Sequence, residues 1–171
     1  MRGKRSRSNT LRLRYRRRRS PRRKLAMKVF TIGFTKKPAR EFFDKLRRPG
    51  LVRLLDVRLN NVSQLAGFTK RDDLLFFCKA ILSIGYQHLP ELAPTQEMLD
   101  DYKKNGGNWR DYETRFLALM CDRKVEDAVA KELIDGGCLL CSEPTPEHCH
   151  RRLVAEYLRD KWGDVEIEHI V

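Results

Sequence analysis

A chain of 171 residues, 41% hydrophobic and 35% charged, is long enough for one domain with a core and a well-solvated surface. Its formal net charge of +13 is confined to one end: 13 of the 36 Lys and Arg lie in Met1–Ala26, which has no Asp or Glu, and from Met27 onward 23 basic residues face 23 acidic ones. No run approaches the roughly 18 consecutive apolar residues of a membrane span, no charged–apolar–small leader pattern occurs, and five cysteines are an odd number, so the reading is a cytoplasmic protein with reduced thiols and no disulfide framework.

The basic stretch, residues 1–26, has almost nothing to bury and carries an unbroken arginine run from Arg16 to Arg19. Self-repulsion predicts a disordered tail. It suits non-specific contact with RNA or DNA by counterion release, or a targeting segment, or translated leader ahead of a true start at Met27. The last is preferred, because Met27 stands directly before the first strand-like run. The domain is therefore expected to span 27–171, and any nucleic-acid contact to run through the tail.

Lys28 to Gly33 is β-branched, aromatic and closed by glycine, and predicts the first strand. Pro38 to Arg48 predicts a helix, with Phe42, Phe43 and Leu46 at helical spacing and Pro49-Gly50 as its stop. Leu51 to Asp56 is the second strand, followed by a loop from Asn60 to Phe68. Lys70 to Ile84 predicts a helix with Leu74, Leu75, Cys78, Ile81 and Leu82 on its buried side. Tyr86 to Leu89 is a third strand. Helices are expected over Thr95–Lys104, Trp109–Met120 and Lys124–Ile134, then a fourth strand over Cys138–Ser142. Thr145-Pro146 predicts an N-cap and first turn for a helix running to Lys161, and Val165 to Ile170 is the last strand.

Strands alternating with helices of this length predict an α/β domain: a mainly parallel sheet of about five strands, flanked by helices as a Rossmann-like three-layer unit. In such sheets ligands gather beyond the carboxyl ends of the strands. Thr31, Arg58, Asn60, Gln64, His88 and Cys141 would meet there and are candidate ligand-binding residues. Arg58 offers a bidentate guanidinium for phosphate or carboxylate, although a structural pair with Asp56 or Glu143 would also explain it. The densest chemistry lies in Cys141-Ser-Glu-Pro-Thr-Pro-Glu-His-Cys-His-Arg-Arg152. Glu143, Cys149, His150 and Arg151 are the candidate catalytic residues. A helix starting at Thr145 would put Cys149 in its first turn, where the dipole and Arg151 favour a thiolate. Cys149 could equally be a small core residue beside Leu153 and Tyr157. Glu143 is the acid–base candidate if burial raises its pKa.

Cys138-Leu-Leu-Cys141 has the spacing of a redox or zinc motif, but on a strand its thiols fall on opposite faces. No cofactor is expected; the alternative is a zinc site from Cys141, Cys149 and His150. Cys78 and Cys121, on apolar helix faces, read as core. There is no phosphate-binding glycine loop.

Thr31-Ile-Gly33, Asp56-Val-Arg58, Tyr86 with His88-Leu-Pro90, Leu140-Cys-Ser-Glu143 and Cys149-His-Arg151 together resemble the domain of unknown function family numbered 488, from about Val29 to the C-terminus. Leu59-Asn-Asn-Val-Ser-Gln-Leu-Ala-Gly-Phe68 resembles one branch of it. Other members carry proline and serine after the arginine, and a histidine where Phe34 stands. The resemblance implies no activity. Leu54-Leu-Asp-Val-Arg58 is also similar to the opening of rhodanese domains, which would imply sulfur transfer at Cys141. The expected function is a small-molecule enzyme or binding domain for a small anionic, nucleotide-like ligand; a nucleic-acid module acting through the tail is the alternative.

Overall fold

The computed structural model describes residues 26–62 and 67–171; the basic stretch 1–25 and Gln64 lie outside them. Short branched and aromatic runs form five strands: β1 (Met27–Gly33), β2 (Arg53–Asp56), β3 (Gly85–His88), β4 (Gly137–Cys141) and β5 (Val165–Ile170). They join in the order β3-β2-β4-β1-β5, and every neighbouring pair is parallel. The central strand β4 is buried along its whole length, as expected of a strand covered on both faces.

Among the described residues seven α-helices cover the sheet: α1 (Ala39–Lys45), α2 (Arg71–Phe77), α3 (Gln96–Lys103), α4 (Trp109–Asp122), α5 (Val125–Ala128), α6 (Lys131–Ile134) and α7 (His150–Trp162). Strand alternation divides the core. Phe30, Ile32, Leu54 and Leu140 pack with Phe42 and Phe43 of α1 and Leu74 of α2. Val29, Leu55 and Leu139 point the other way, onto Phe116 and Met120 of α4 and Val154 and Leu158 of α7. The same alternation puts Cys138 in the first cluster and Cys141 beside His150 of α7, so the two thiols do diverge. The expected three-layer α/β architecture is observed. No described helix is long and apolar enough to cross a membrane.

Four local expectations need correction. The helix placed from Thr145 begins at His150, with Cys149 as its extended N-cap residue (φ −140°, ψ 134°). Thr145-Pro146 is locally compatible with a helix start, but 144–148 forms bends and turns instead, and the later start brings Cys149 and His150 together at Cys141. The single helix over Lys124–Ile134 is two short ones with Val129 extended between them. Val125, Val129 and Ile134 all enter one core cluster, yet nine residues at about 100° each would put Ile134 opposite Val125 on a continuous helix; the break turns it inward. The helix over Lys70–Ile84 stops being regular at Phe77, passes through one wide turn, Cys78–Leu82, and ends at Ser83 in left-handed backbone (φ 56°). Only Leu74 and Cys78 of its predicted side are buried, while Leu75 and Ile81 are exposed. Cys121 is exposed rather than core.

Register places the site. Gly33 pairs with Cys141 across β1 and β4, and Asp56 with Leu140 across β2 and β4. Three adjacent strands thus end at one level, and the loops beyond them face one another.

Candidate functional site

A cavity of about 890 Å³ opens at these strand ends. Segments at or after the ends of four strands build it: Phe34–Pro38 after β1, Arg58–Asn60 after β2, Tyr102 and Lys103 of α3 after β3, and Cys141–Glu143 with His148–His150 at the end of β4 and into α7. One wall is aromatic. Tyr102 lies 4.9 Å from Tyr112 between ring centroids, and Trp109 stacks on Tyr112 at 5.3 Å. Lys36, Lys37 and Lys103 line it as well. Lys36 adopts left-handed backbone (φ 63°), a conformation that costs a non-glycine residue free energy and recurs at functional sites. Lys37 is held by the Pro144 carbonyl at 3.3 Å; burial, then the nearby charges of Lys45 and Arg151, lower its pKa.

Two thiols and an imidazole converge on the cavity wall. The donor atoms of Cys141, Cys149 and His150 all lie within 4.8 Å of one another, and all three residues are buried. His150 is set by its outer nitrogen: Nε2 lies 2.8 Å from the Val57 carbonyl, a bond for which it must carry the hydrogen, while Nδ1 faces Cys141 Sγ at 3.6 Å. Phe116 packs on the ring at 5.5 Å between centroids. A hydrogen bond from Cys149 and the charge of His150 hold Cys141 well below the ordinary thiol range, against the opposing effect of burial. Burial and the adjacent Cys141 thiolate push Cys149 well above it. Burial alone would lower the His150 pKa, but the Cys141 thiolate outweighs it and the net shift is upward. The thiolate-favouring position is therefore Cys141. The reasoning that favoured Cys149 rested on a helix beginning at Thr145; with the helix starting at His150, Cys149 keeps its proton and donates it in a hydrogen bond to Cys141.

Arg58 is a strut as well as a wall residue. Its Nε and Nη2 fork onto Asp56 at 2.7 Å each, Nη2 also donates to the Thr69 carbonyl, and only 8% of the residue is exposed. Tyr86 donates its hydroxyl to Asp56 at 2.7 Å, Asn61 reaches that hydroxyl at 3.3 Å, and Phe34 covers the guanidinium at 5.2 Å. His88 lies outside the cavity wall and binds the Arg58 carbonyl at 2.8 Å. The alternative reading of Arg58, a pair with Asp56, is what the structure contains.

The remaining candidates divide. Asn60 and Glu143 line the cavity. Glu143 is not buried as anticipated: its carboxylate pairs with Lys103 at 2.7 Å and its side chain is 37% exposed. Thr31 is sealed in the sheet, bonded to His169 Nδ1 at 2.8 Å. Arg151 is fully buried behind the wall and donates Nη1 to the Glu143 carbonyl, with no protein partner for Nε or Nη2 among the described residues. Gly33 makes this possible, since a Cβ there would overlap the Glu143 carbonyl. Tyr102, Trp109, Tyr112, Lys37 and Lys103 went unnoticed in the sequence. The aromatic residues flanking Asn105-Gly-Gly107 were the available signal.

Neither a curated protein nor a solved structure matches the chain. The family described as Domain of unknown function DUF488 matches residues 38–158, more than two thirds of the chain, a span that includes both the Asp56–Arg58 strut and the Cys141–Arg151 segment of this chain. The chain belongs to that family.

Proposed function

We propose that this domain is a small-molecule enzyme or binding domain whose ligand is an anion with a planar ring, of the nucleotide type, and whose reactive edge is the Cys141–Cys149–His150 cluster. One observation carries the reading: a single cavity at the strand ends combines the Tyr102–Trp109–Tyr112 wall, three lysines and that cluster. Aromatic side chains gain most from a flat ring laid against them, and a desolvated lysine such as Lys37 regains stability when an anion arrives. Pockets of this size with a few convergent polar groups are the usual place for small ligands.

Sulfur transfer is less favoured by the geometry. Cys141 is the last residue of β4, so it does not sit within a loop whose backbone N–H groups encircle a persulfide. The nucleic-acid alternative rests on residues 1–25, which lie outside the described ones.

Thermal unfolding of the full chain with nucleoside monophosphates, sugar phosphates and inorganic phosphate tests the proposal. A ligand at about 100 times its dissociation constant adds about 2.7 kcal/mol. Ring-bearing anions should stabilise most, and Tyr102→Ala or Lys37→Ala should reduce that gain. No stabilisation by any anion at millimolar concentration would count against the proposal.

A further inference from the structure

We propose that Cys141, Cys149 and His150 form a three-ligand site for a thiophilic divalent cation of the zinc type, with its fourth position open to the cavity. The inference goes beyond the ligand-binding reading and is tested apart from it.

The first support is donor chemistry. Two sulfurs and one imidazole nitrogen are the soft and borderline donors zinc prefers, and three protein ligands with one open position is the pattern of a catalytic rather than a structural zinc site. The second is distance. Tetrahedral zinc with bonds of about 2.3 Å to sulfur and 2.0–2.1 Å to nitrogen separates those two atoms by about 3.6 Å. Cys141 Sγ and His150 Nδ1 are 3.6 Å apart, and Cys149 Sγ lies within 4.8 Å of both. An ion at the centre needs only a small approach of the second sulfur.

The third support lies one shell out. Metal-binding histidines characteristically donate their free ring N–H to a carbonyl or carboxylate, which fixes tautomer and ring orientation. His150 has that arrangement, with Nε2 2.8 Å from the Val57 carbonyl and Nδ1 left to face the sulfurs. The backbone contributes as well. Cys149 is extended and His150 is the first helical residue, and their side chains, though consecutive, meet at the same sulfur. Cys138, the other member of the Cys-x-x-Cys spacing, sits in the opposite core cluster and is excluded. All three donors line the cavity, so the open position faces the place where an anionic ligand would bind.

The test is cobalt(II) titration of the full chain after treatment with a chelator. Thiolate-to-cobalt charge transfer and strong tetrahedral visible bands should saturate at one equivalent, and zinc should bleach them. Cys141→Ser, Cys149→Ser and His150→Ala should each weaken binding at least tenfold, the cysteine variants with reduced charge transfer, while Cys121→Ser, at an exposed thiol, should match the parent. Circular dichroism melts check that each variant folds, and the parent spectrum stands even where a variant does not. Absence of charge transfer at one equivalent overturns the proposal. So does a spectrum that survives both cysteine changes, which would place the ion elsewhere. The anion-stabilisation experiment repeated on metal-free protein separates failure of this site from failure of the ligand reading.

Discussion

Cys141 and Cys149 show how a neighbour reverses what position alone implies for a thiol. A buried sulfur normally holds its proton, as Cys78 does, its pKa pushed up to about 12 by burial. Cys141 is also buried, though on the cavity wall, but receives a hydrogen bond from Cys149 and the charge of His150, and its shift is downward. The thiolate is the nucleophile, and free cysteine loses about tenfold of it per pH unit below its ordinary pKa of about 8.5. Cys141 should keep its thiolate further down the scale, so its iodoacetamide rate relative to free cysteine should climb as pH falls from 8 to 6. Mass spectrometry after brief alkylation of chelator-treated protein measures this. Faster labelling at Cys149 than at Cys141 would show that the proton lies on the other sulfur.

Arg58 supplies the second prediction at this scale. Both Asp56 oxygens are occupied, one by the Arg58 backbone N–H and Nε, the other by Nη2 and Tyr86. Removing one partner of a buried pair leaves the other uncompensated, at a cost of about 3–5 kcal/mol. Arg58→Ala should therefore unfold at much lower urea concentration. Arg58→Lys should recover only part of the loss, because a lysine cannot fork onto the carboxylate. Full recovery by lysine would mean that charge alone matters and the fork does not.

At the scale of elements, the site depends on where strands stop and helices begin. β1 and β4 end side by side at Gly33 and Cys141, and the chain after β4 passes directly over Gly33. Its Glu143 carbonyl fills the space a Cβ would take, with Arg151 Nη1 beside it. Gly33→Ala must push that loop away, and overpacking of this kind typically costs about 1–3 kcal/mol. The displaced segment leads into Cys149 and His150, so the substitution should weaken cobalt binding as well as stability. An alanine variant with parent-like melting and cobalt spectrum would show that the loop can yield freely. The start of α7 has the same kind of consequence. Had the helix begun at Thr145, His148, Cys149 and His150 would fan out around one turn at about 100° each. Beginning at His150, it leaves Cys149 extended and lets both side chains reach Cys141.

For the molecule as a whole, both core clusters, among the described residues, are built from Met27 onward, and the first strand is anchored from its first residue by the Met27 N–H to the Asp164 carbonyl. A chain beginning at Met27 is accordingly expected to unfold cooperatively within a few degrees of the full chain, by calorimetry. A much larger drop would show that the arginine-rich stretch packs on the domain. Lacking net charge, the shortened chain should also have little affinity for RNA or DNA at physiological salt, which fluorescence titration would reveal.

Periodicity carried the α/β class, all five strands and the two-sided sheet, because burial of apolar side chains on both faces leaves a pattern that local sequence spells out. The family was legible too, in short motifs such as Asp56-Val-Arg58 and Cys149-His-Arg151. Proximity was legible only in part. The Arg58–Asp56 pair, two residues apart, was open to the sequence as an alternative. That Cys141 lies against Cys149 and His150, foreseen only as an alternative zinc site, and that Thr31 faces His169 inside the sheet depend on parallel register and on where one helix starts. The aromatic wall escaped notice for the same reason: Tyr102, Trp109 and Tyr112 belong to two helices, and only their packing makes them one surface. Those relations are contacts between separate elements, 138 residues apart for Thr31 and His169, and no local pattern encodes them.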